Sequence, residues 1–171
     1  PMLTSDPSRL ATLLSYRVLD TPPEPQFDDI VQLARTICRT PVALVSLVAA
    51  DRQWFKARAG VDALTETPIA QSVCAHAIQE PEILVIPDLT QDPRTNTNTL
   101  VTEGPQIRFY AGAVLRAPDD GVNGSQALGA LCVIDPVARP EGLTDDQRAS
   151  LLALGRHPMA LLPYRRAPQL V

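Results

Sequence analysis

One stretch, residues 106–135, constrains this chain more than any other. It reads QIRFYAGAVLRA, then PDDGVNGS, then QALGALCVID. Both arms are rich in β-branched, aromatic and small apolar residues, the composition of strands. The middle carries Pro118, Asp119, Asp120, Gly121, Asn123 and Gly124, which together signal a turn. The stretch therefore reads as an antiparallel hairpin at the centre of a sheet. At period two, Ile107, Phe109, Ala111, Ala113 and Leu115 share one face, apolar throughout and expected to meet helices. Arg108, Tyr110, Gly112, Val114 and Arg116 share the other. Its mixture of charge, hydroxyl and glycine suits the floor of a pocket with a few placed polar groups. The second arm is apolar on both faces and reads as an interior strand. Gly129 in this arm leaves room for a close approach, and with Gly112 in the first arm it removes bulk from adjacent strands.

The flanking segments supply helices and shorter strands. Ser5-Asp6-Pro7 starts a helix with an apolar stripe of Leu10, Leu13 and Leu14, ended by Pro22-Pro23. A second helix spans about 25–39, with Phe27, Ile30, Val31, Ala34, Ile37 and Cys38 at helical spacing. Residues 42–49 form a continuous apolar run, a central strand. Residues 52–59 form another, with Trp54, Lys56 and Arg58 expected on one face and Gln53, Phe55 and Ala57 on the other. Residues 62–67 read as a polar loop. Pro68 opens a helix expected over 69–79, in which Val73, Cys74, Ala77 and Ile78 gather around Ala70. A short strand covers 83–86, and the Thr/Asn-rich 95–99 segment is expected to be mobile. Thr144-Asp145-Asp146-Gln147 is a capping box that starts a last helix, compromised by Gly155, Pro158 and Pro163.

Charge and composition exclude several classes. A net charge of −4 opposes nucleic acid, which needs a basic face, and opposes an anionic membrane surface. No apolar run reaches the roughly 18 residues of a membrane span, and no signal peptide is read at the start. Cys38, Cys74 and Cys132 are an odd number at no metal-like spacing, so they are expected to be reduced, buried thiols in a cytoplasmic protein. No metal site, no catalytic residues and no identifiable cofactor are expected.

The segments RVLDTPPEPQFDDIVQLA, PVALVSLVAADRQWFKARAG, SVCAHAI, VIPDLTQDPR, IRFYAGAVL and LGALCVID occur in this order. So ordered, they resemble the GAF domain, a ligand-sensing relative of the PAS fold, as found in bacterial sensor histidine kinases and diguanylate cyclases. The resemblance covers 21–171, with 1–20 as a helical lead-in. It implies an α+β fold: a central antiparallel sheet of five or six strands, helices packed on one face, and a pocket covered by a helix and loops on the other. It also implies a sensor or regulatory role in signal transduction. Two positions depart from the family pattern: Thr95 stands for an aromatic residue and Thr99 for a proline. The cyclic-nucleotide motif of some relatives and the loop cysteines of methionine sulfoxide reductases are absent.

Candidate site residues follow from the faces. Cys74 and His76 are two apart on a helix and point about 160° away from each other, which opposes a thiol–imidazole dyad. Arg108 and Tyr110 share the mixed face, and arginine suits carboxylate or phosphate. Ser72, His76, Asp88 and Arg94 are expected to converge on them from the covering helix and loop. The expected ligand is a small, partly anionic molecule. In the other reading, Arg108 is held by Asp88 or Asp92, and the domain is a dimerisation module with an empty pocket. A homodimer through 8–15, 26–39 and the helix from Thr144 is expected in either case.

Overall fold

The computed structural model describes residues 3–119, 121 and 124–162. Six strands form one antiparallel sheet: β1 (Val42–Val48), β2 (Arg52–Ala59), β3 (Glu66–Pro68), β4 (Ile83–Ile86), β5 (Phe109–Arg116) and β6 (Ala127–Asp135), ordered β3-β2-β1-β6-β5-β4. The hairpin β5–β6 is central, as its composition requires, because β6 is paired on both edges, by β1 and by β5. Gly129 is what allows this. A Cβ there would lie 1.9 Å from the Ser46 carbonyl oxygen and 2.9 Å from Leu47 Cα. The close approach is thus made by a neighbouring strand.

Helices α1 (Pro7–Ser15), α2 (Pro25–Cys38), α5 (Asp145–Gly155) and α6 (His157–Leu161) flank one face of the sheet. Between them lies the larger apolar cluster, with Phe109, Ala111, Ala113 and Leu115 of β5 at its centre. The opposite face is covered by a 3-10 turn (Ile69–Gln71), α3 (Cys74–Ala77) and α4 (Thr99–Thr102), with a second apolar cluster beneath. This is the expected α+β arrangement. Ile107 departs from its expected face. The strand begins at Phe109, after Gln106 turns the chain through a positive φ of 50°, and Ile107 packs into the second cluster.

A bulge corrects the face assignment of β2. Its pairing with β1 passes from Val45↔Ala57 to Ser46↔Phe55, which leaves Lys56 opposite no residue. An extra residue resets the alternation. Trp54, Ala57 and Ala59 therefore all reach the helix side, and Phe55 reaches the other. Lys56 also enters the helix side, where its ammonium bonds Thr21 Oγ1 at 2.9 Å and the Pro22 carbonyl at 2.6 Å. It pairs with Glu24 at 2.5 Å and sits 5.3 Å from the centre of the Phe27 ring.

Other departures have local causes. In α1 the buried positions are Arg9, Thr12 and Leu13, whereas Leu14 is 63 % exposed. Arg9 is tolerated inside because it donates to the carbonyls of Leu3, Thr4 and Ala127, which satisfy its guanidinium without an acid. The helix expected over 69–79 is broken at Ser72, which is extended (φ −82°, ψ 112°). The Ser72 hydroxyl accepts the Ala75 N–H at 3.0 Å, a local bond that competes with helix continuation. Part of the expected 62–67 loop is β3, paired with β2 through Arg52↔Pro68 and Gln53↔Thr67. The 95–99 segment is pinned: Thr95 is fully buried and donates to the Leu89 carbonyl at 2.7 Å, and Asn98 caps α4 and donates to the Gln71 carbonyl.

Side chains fix the C-terminus of α2 and the N-terminus of α5. Arg39 takes the left-handed conformation after α2 (φ 55°), and Arg139 donates to the carbonyls of Cys38 and Arg39 while pairing with Asp135. The Thr144–Gln147 capping box starts α5 as expected. The last helix is interrupted at Arg156, and Pro158 lies in the first turn of α6, where its missing N–H costs nothing. Pro163 and Arg166 lie outside the described residues.

Two substitutions test this arrangement. Gly129→Ala should cost about 4 kcal/mol or abolish folding, because its Cβ meets backbone that cannot move aside. Urea unfolding measures it, and a loss under about 1 kcal/mol would mean that β1 and β6 are not in this register. Lys56→Met should loosen the 20–24 segment, seen as faster amide exchange at Asp20–Glu24 with the sheet unchanged. Uniform exchange across both proteins would contradict the clasp.

Candidate functional site

The face opposite the long helices is where a pocket floor is expected. Tyr110 points into it from β5, but it does not leave the face open. Its ring lies across Gly112: a Cβ at Gly112 would come within 2.3 Å of Tyr110 Oη and 2.8 Å of its Cζ. The space that the glycine frees is used by this ring. Around it, Leu44 and Val48 of β1, Phe55 of β2, Ile86 of β4, and Ile78, Leu89 and Val101 complete an apolar filling. Tyr110 Oη ends 2.9 Å from Cys74 Sγ, and both side chains are buried.

Arg108 is directed elsewhere. It lies just before β5, and its guanidinium donates to the carbonyls of Val101 at 2.8 Å and Ile107 at 3.1 Å. It thereby satisfies an open carbonyl of α4. Neither an anionic ligand nor an acid is needed to face it. Asp88 is occupied locally, accepting from Thr90 N at 3.0 Å and Thr90 Oγ1 at 2.6 Å. Those bonds hold its carboxyl below the usual range, with the Arg108 charge contributing least. Ser72 is also committed: its hydroxyl donates to Gln53 Oε1 at 2.7 Å, and Gln53 Nε2 donates to Thr67 Oγ1. Arg108, Tyr110, Ser72 and Asp88 thus do not meet around one space.

His76 and Arg94 do meet. They line a cleft of about 360 Å³ with Pro68, Ala70, Gln71, Thr97, Asn98 and Thr99. Arg94 is held by Asp92 through Nε at 3.0 Å and Nη2 at 2.8 Å, and its Nη1 lies 3.6 Å from Glu80. Its guanidinium lowers the Asp92 carboxyl. Burial lowers the His76 imidazole, and the nearby Arg94 charge adds to this. The cleft is therefore polar, with a neutral imidazole and a paired guanidinium. The short α3 puts Cys74 under the sheet side and His76 in the cleft, the opposed geometry that helical spacing predicts. Among the described residues no three His, Cys, Asp or Glu are grouped to hold a metal ion. No helix among them is long and apolar enough to cross a membrane.

Two groupings escaped the sequence reading. Lys56, treated as a strand residue, sits at the edge of a cleft of about 330 Å³ with Asp20, Thr21, Arg58 and Glu66. Its being the chain's sole lysine was the available signal. Ser46 and Cys132 share the second face with Tyr110 and Cys74. Strand alternation across the hairpin, where Cys132 pairs with Gly112, would have placed Cys132 there.

His76 makes a pH dependence. Because its folded-state pKa is lowered, the unfolded chain binds more protons below the ordinary value of 6.5. Stability should rise with pH through the window from the lowered pKa up to 6.5, and be lost as pH falls through it. His76→Gln should flatten that limb in urea midpoints measured between pH 5 and pH 7. Parallel limbs in both proteins would remove His76 as the cause.

The sequence blocks, the six-strand order and the two-faced packing can be set beside known proteins. The GAF domain family model matches residues 22–157. A cyclic di-GMP phosphodiesterase from Pseudomonas aeruginosa is 37 % identical over 152 residues, which are 89 % of this chain and 24 % of that protein. The chain thus spans about a quarter of the relative it matches. The GAF domain of a Coxiella burnetii phosphoenolpyruvate-protein phosphotransferase superposes with a TM-score of 0.63 at 13 % identity, covering 93 % of this chain and 95 % of that one. A free methionine-R-sulfoxide reductase from Thermoplasma acidophilum superposes with a TM-score of 0.63 at 11 % identity, covering 83 % and 93 %. Those two likenesses concern the fold. By its match over most of its length and its sheet topology, this chain belongs to the GAF domain family.

Proposed function

We propose that this GAF domain is the regulatory, ligand-sensing part of a cytoplasmic signalling protein and not its catalyst. The observation that carries the reading is the match itself. A segment equivalent to nearly the whole chain occupies 24 % of a protein named as a cyclic di-GMP phosphodiesterase, as expected of a regulatory module beside other domains. The described side chains also favour regulation over catalysis. The one thiol and imidazole near each other in sequence project to different sides of α3, and Cys74 is fully enclosed.

The ligand is assigned to the cleft of His76 and Arg94, with Gln71, Asn98 and Thr99 at its edge. A small molecule with a carboxylate or phosphate suits it. Arg94 offers a planar fork of donors, and Glu80, at 3.6 Å, is a looser partner than Asp92 and the easier one to displace. A thermal-shift screen of small carboxylates and phosphates tests this. A binder at about a hundred times its Kd should stabilise the fold by about 2.7 kcal/mol, and Arg94→Ala should erase the shift. Arg108→Ala should leave the shift intact and lower basal stability by about 1–2 kcal/mol, through loss of its carbonyl bonds. A shift that Arg108→Ala abolishes and Arg94→Ala spares would move the ligand to the sheet face.

The second reading, a dimerisation module without a ligand, draws on a specific observation as well: the sheet face is filled by its own side chains. Leu14 on α1 and Leu33 on α2 are 63 % and 51 % exposed, on two of the helices assigned to the homodimer. Light scattering separates the two readings. A stable dimer that Leu14→Glu and Leu33→Glu dissociate, with no hit in the screen, favours the module. A monomer at every concentration removes it.

A further inference from the structure

Four polar side chains meet inside the apolar second face, each from a different element. Cys74 comes from α3, Tyr110 from β5, Cys132 from β6 and Ser46 from β1. The strand register assembles them. Cys132 lies opposite Gly112 on one side and opposite Leu44 on the other, and Ser46 follows Leu44 on the same face. Gly112 lets the Tyr110 ring lie flat across it, so that the phenol reaches Cys74 at 2.9 Å. Cys132 thus stands beside Gly112, and the Tyr110 phenol that lies over Gly112 carries the Cys74 sulfur to the same place. Ser46 Oγ is buried and has no hydrogen-bond partner among the described residues. Nothing in the regulatory reading uses this cluster, and an apolar core would be cheaper to build without it.

We infer that Cys74 and Cys132 are an oxidisable thiol pair that a hydroperoxide closes to a disulfide. In the first step the Cys74 thiolate attacks one peroxide oxygen. The O–O bond breaks, hydroxide or alkoxide leaves, and Cys74 becomes a sulfenic acid. In the second step the Cys132 sulfur attacks the Cys74 sulfur. The S–S bond forms, the S–O bond breaks, and the hydroxyl leaves with the Cys132 proton as water. The two thiols lose two electrons and the peroxide gains them.

The surroundings assign the roles. Burial would raise the Cys74 thiol, but the neighbouring Cys132 thiol and the Tyr110 phenol bring it below the ordinary value. Burial pushes the Tyr110 phenol well up, and the neighbouring Cys74 sulfur together with burial pushes the Cys132 thiol well up. Cys74, on the short covering helix α3, is the attacking sulfur, and Cys132, on β6 between two paired strands, is the resolving one. Access comes from α3, which has four residues and follows the extended Ser72. So short a helix opens locally at little cost while the six-strand sheet stays closed. Cys38 supplies an internal control. It lies on the other face, as the last residue of α2, and its thiol is pushed up to about 11, chiefly by burial. The oxidation chemistry stands independently of the ligand cleft. Only its consequence rests on the sensor reading: a disulfide would tie α3 to β6 and shift His76, two residues along, within the cleft.

The test treats the folded chain with hydrogen peroxide, blocks remaining thiols with iodoacetamide, and maps tryptic peptides by mass. The expected product is a Cys74–Cys132 cross-link formed at least about tenfold faster than any change at Cys38. Cys132→Ser should instead trap a sulfenic acid at Cys74 that dimedone labels. The wild-type cross-link needs no variant, so a poorly folding Cys132→Ser does not weaken the result. Oxidation of all three cysteines at one rate would indicate reaction through global unfolding and overturn the inference. So would the absence of a cross-link while Cys74 stays alkylatable. Either result leaves the carboxylate and phosphate screen unaffected.

Discussion

The ring of Tyr110 rests across Gly112, where any side chain would collide with it, and its hydroxyl ends against the Cys74 sulfur. Much of the second face is arranged around that placement. A larger residue at 112 would push the phenol away from β5, and the apolar side chains of α3 would lose the surface they pack on. With the ring in place, β1, β5 and β6 present a continuous apolar floor, and α3 needs only four residues to cover it. The polar tip is what makes the filling specific. An enclosed phenol requires a partner, and the partner is a thiol on the covering helix.

Several arginines share one arrangement. Arg9, Arg108 and Arg116 each direct their guanidinium to main-chain carbonyls, and Arg139 does so while also pairing with Asp135. Carbonyls at helix ends and in turns carry partial negative charge and lack intrahelical donors, so an arginine satisfies them and itself together. Its five donors make this possible where an ammonium would leave more unmet. Lys56 is the contrasting case. Its single nitrogen takes a hydroxyl, a carbonyl and a carboxylate from one short proline-rich segment, and so binds the start of α2 to the sheet.

These arrangements bear on the proposed sensing role. A domain whose sheet face is filled by its own side chains must register its signal at an edge, in a cleft between loops, or by chemistry within the filling. The His76–Arg94 cleft and the Cys74–Cys132 pair lie on opposite sides of the same short helix. A change on either side would be felt on the other, because α3 is too short to deform independently at its two ends.

The sequence by itself determined the elements whose signals are local. The hairpin was legible from composition and turn residues, α1 from Asp6 and Pro7, α5 from its capping box, and the interruption before Pro158 from the proline. The order of the family blocks carried the α+β class. What only the tertiary structure decided depends on partners distant in sequence. Alternation placed Tyr110 on the second face, but whether Gly112 opens a pocket or receives a neighbouring ring is set by a rotamer and by α3. Arg108 was read against acids, while its partners are the carbonyls of Ile107 and of Val101 in α4, a helix that the Thr/Asn-rich sequence did not announce. A bulge at Lys56 reversed the faces downstream of it, and a bulge is specified by the pairing of two strands, not by either alone. Periodicity reports which side a residue faces; what meets it there is a property of the packed chain.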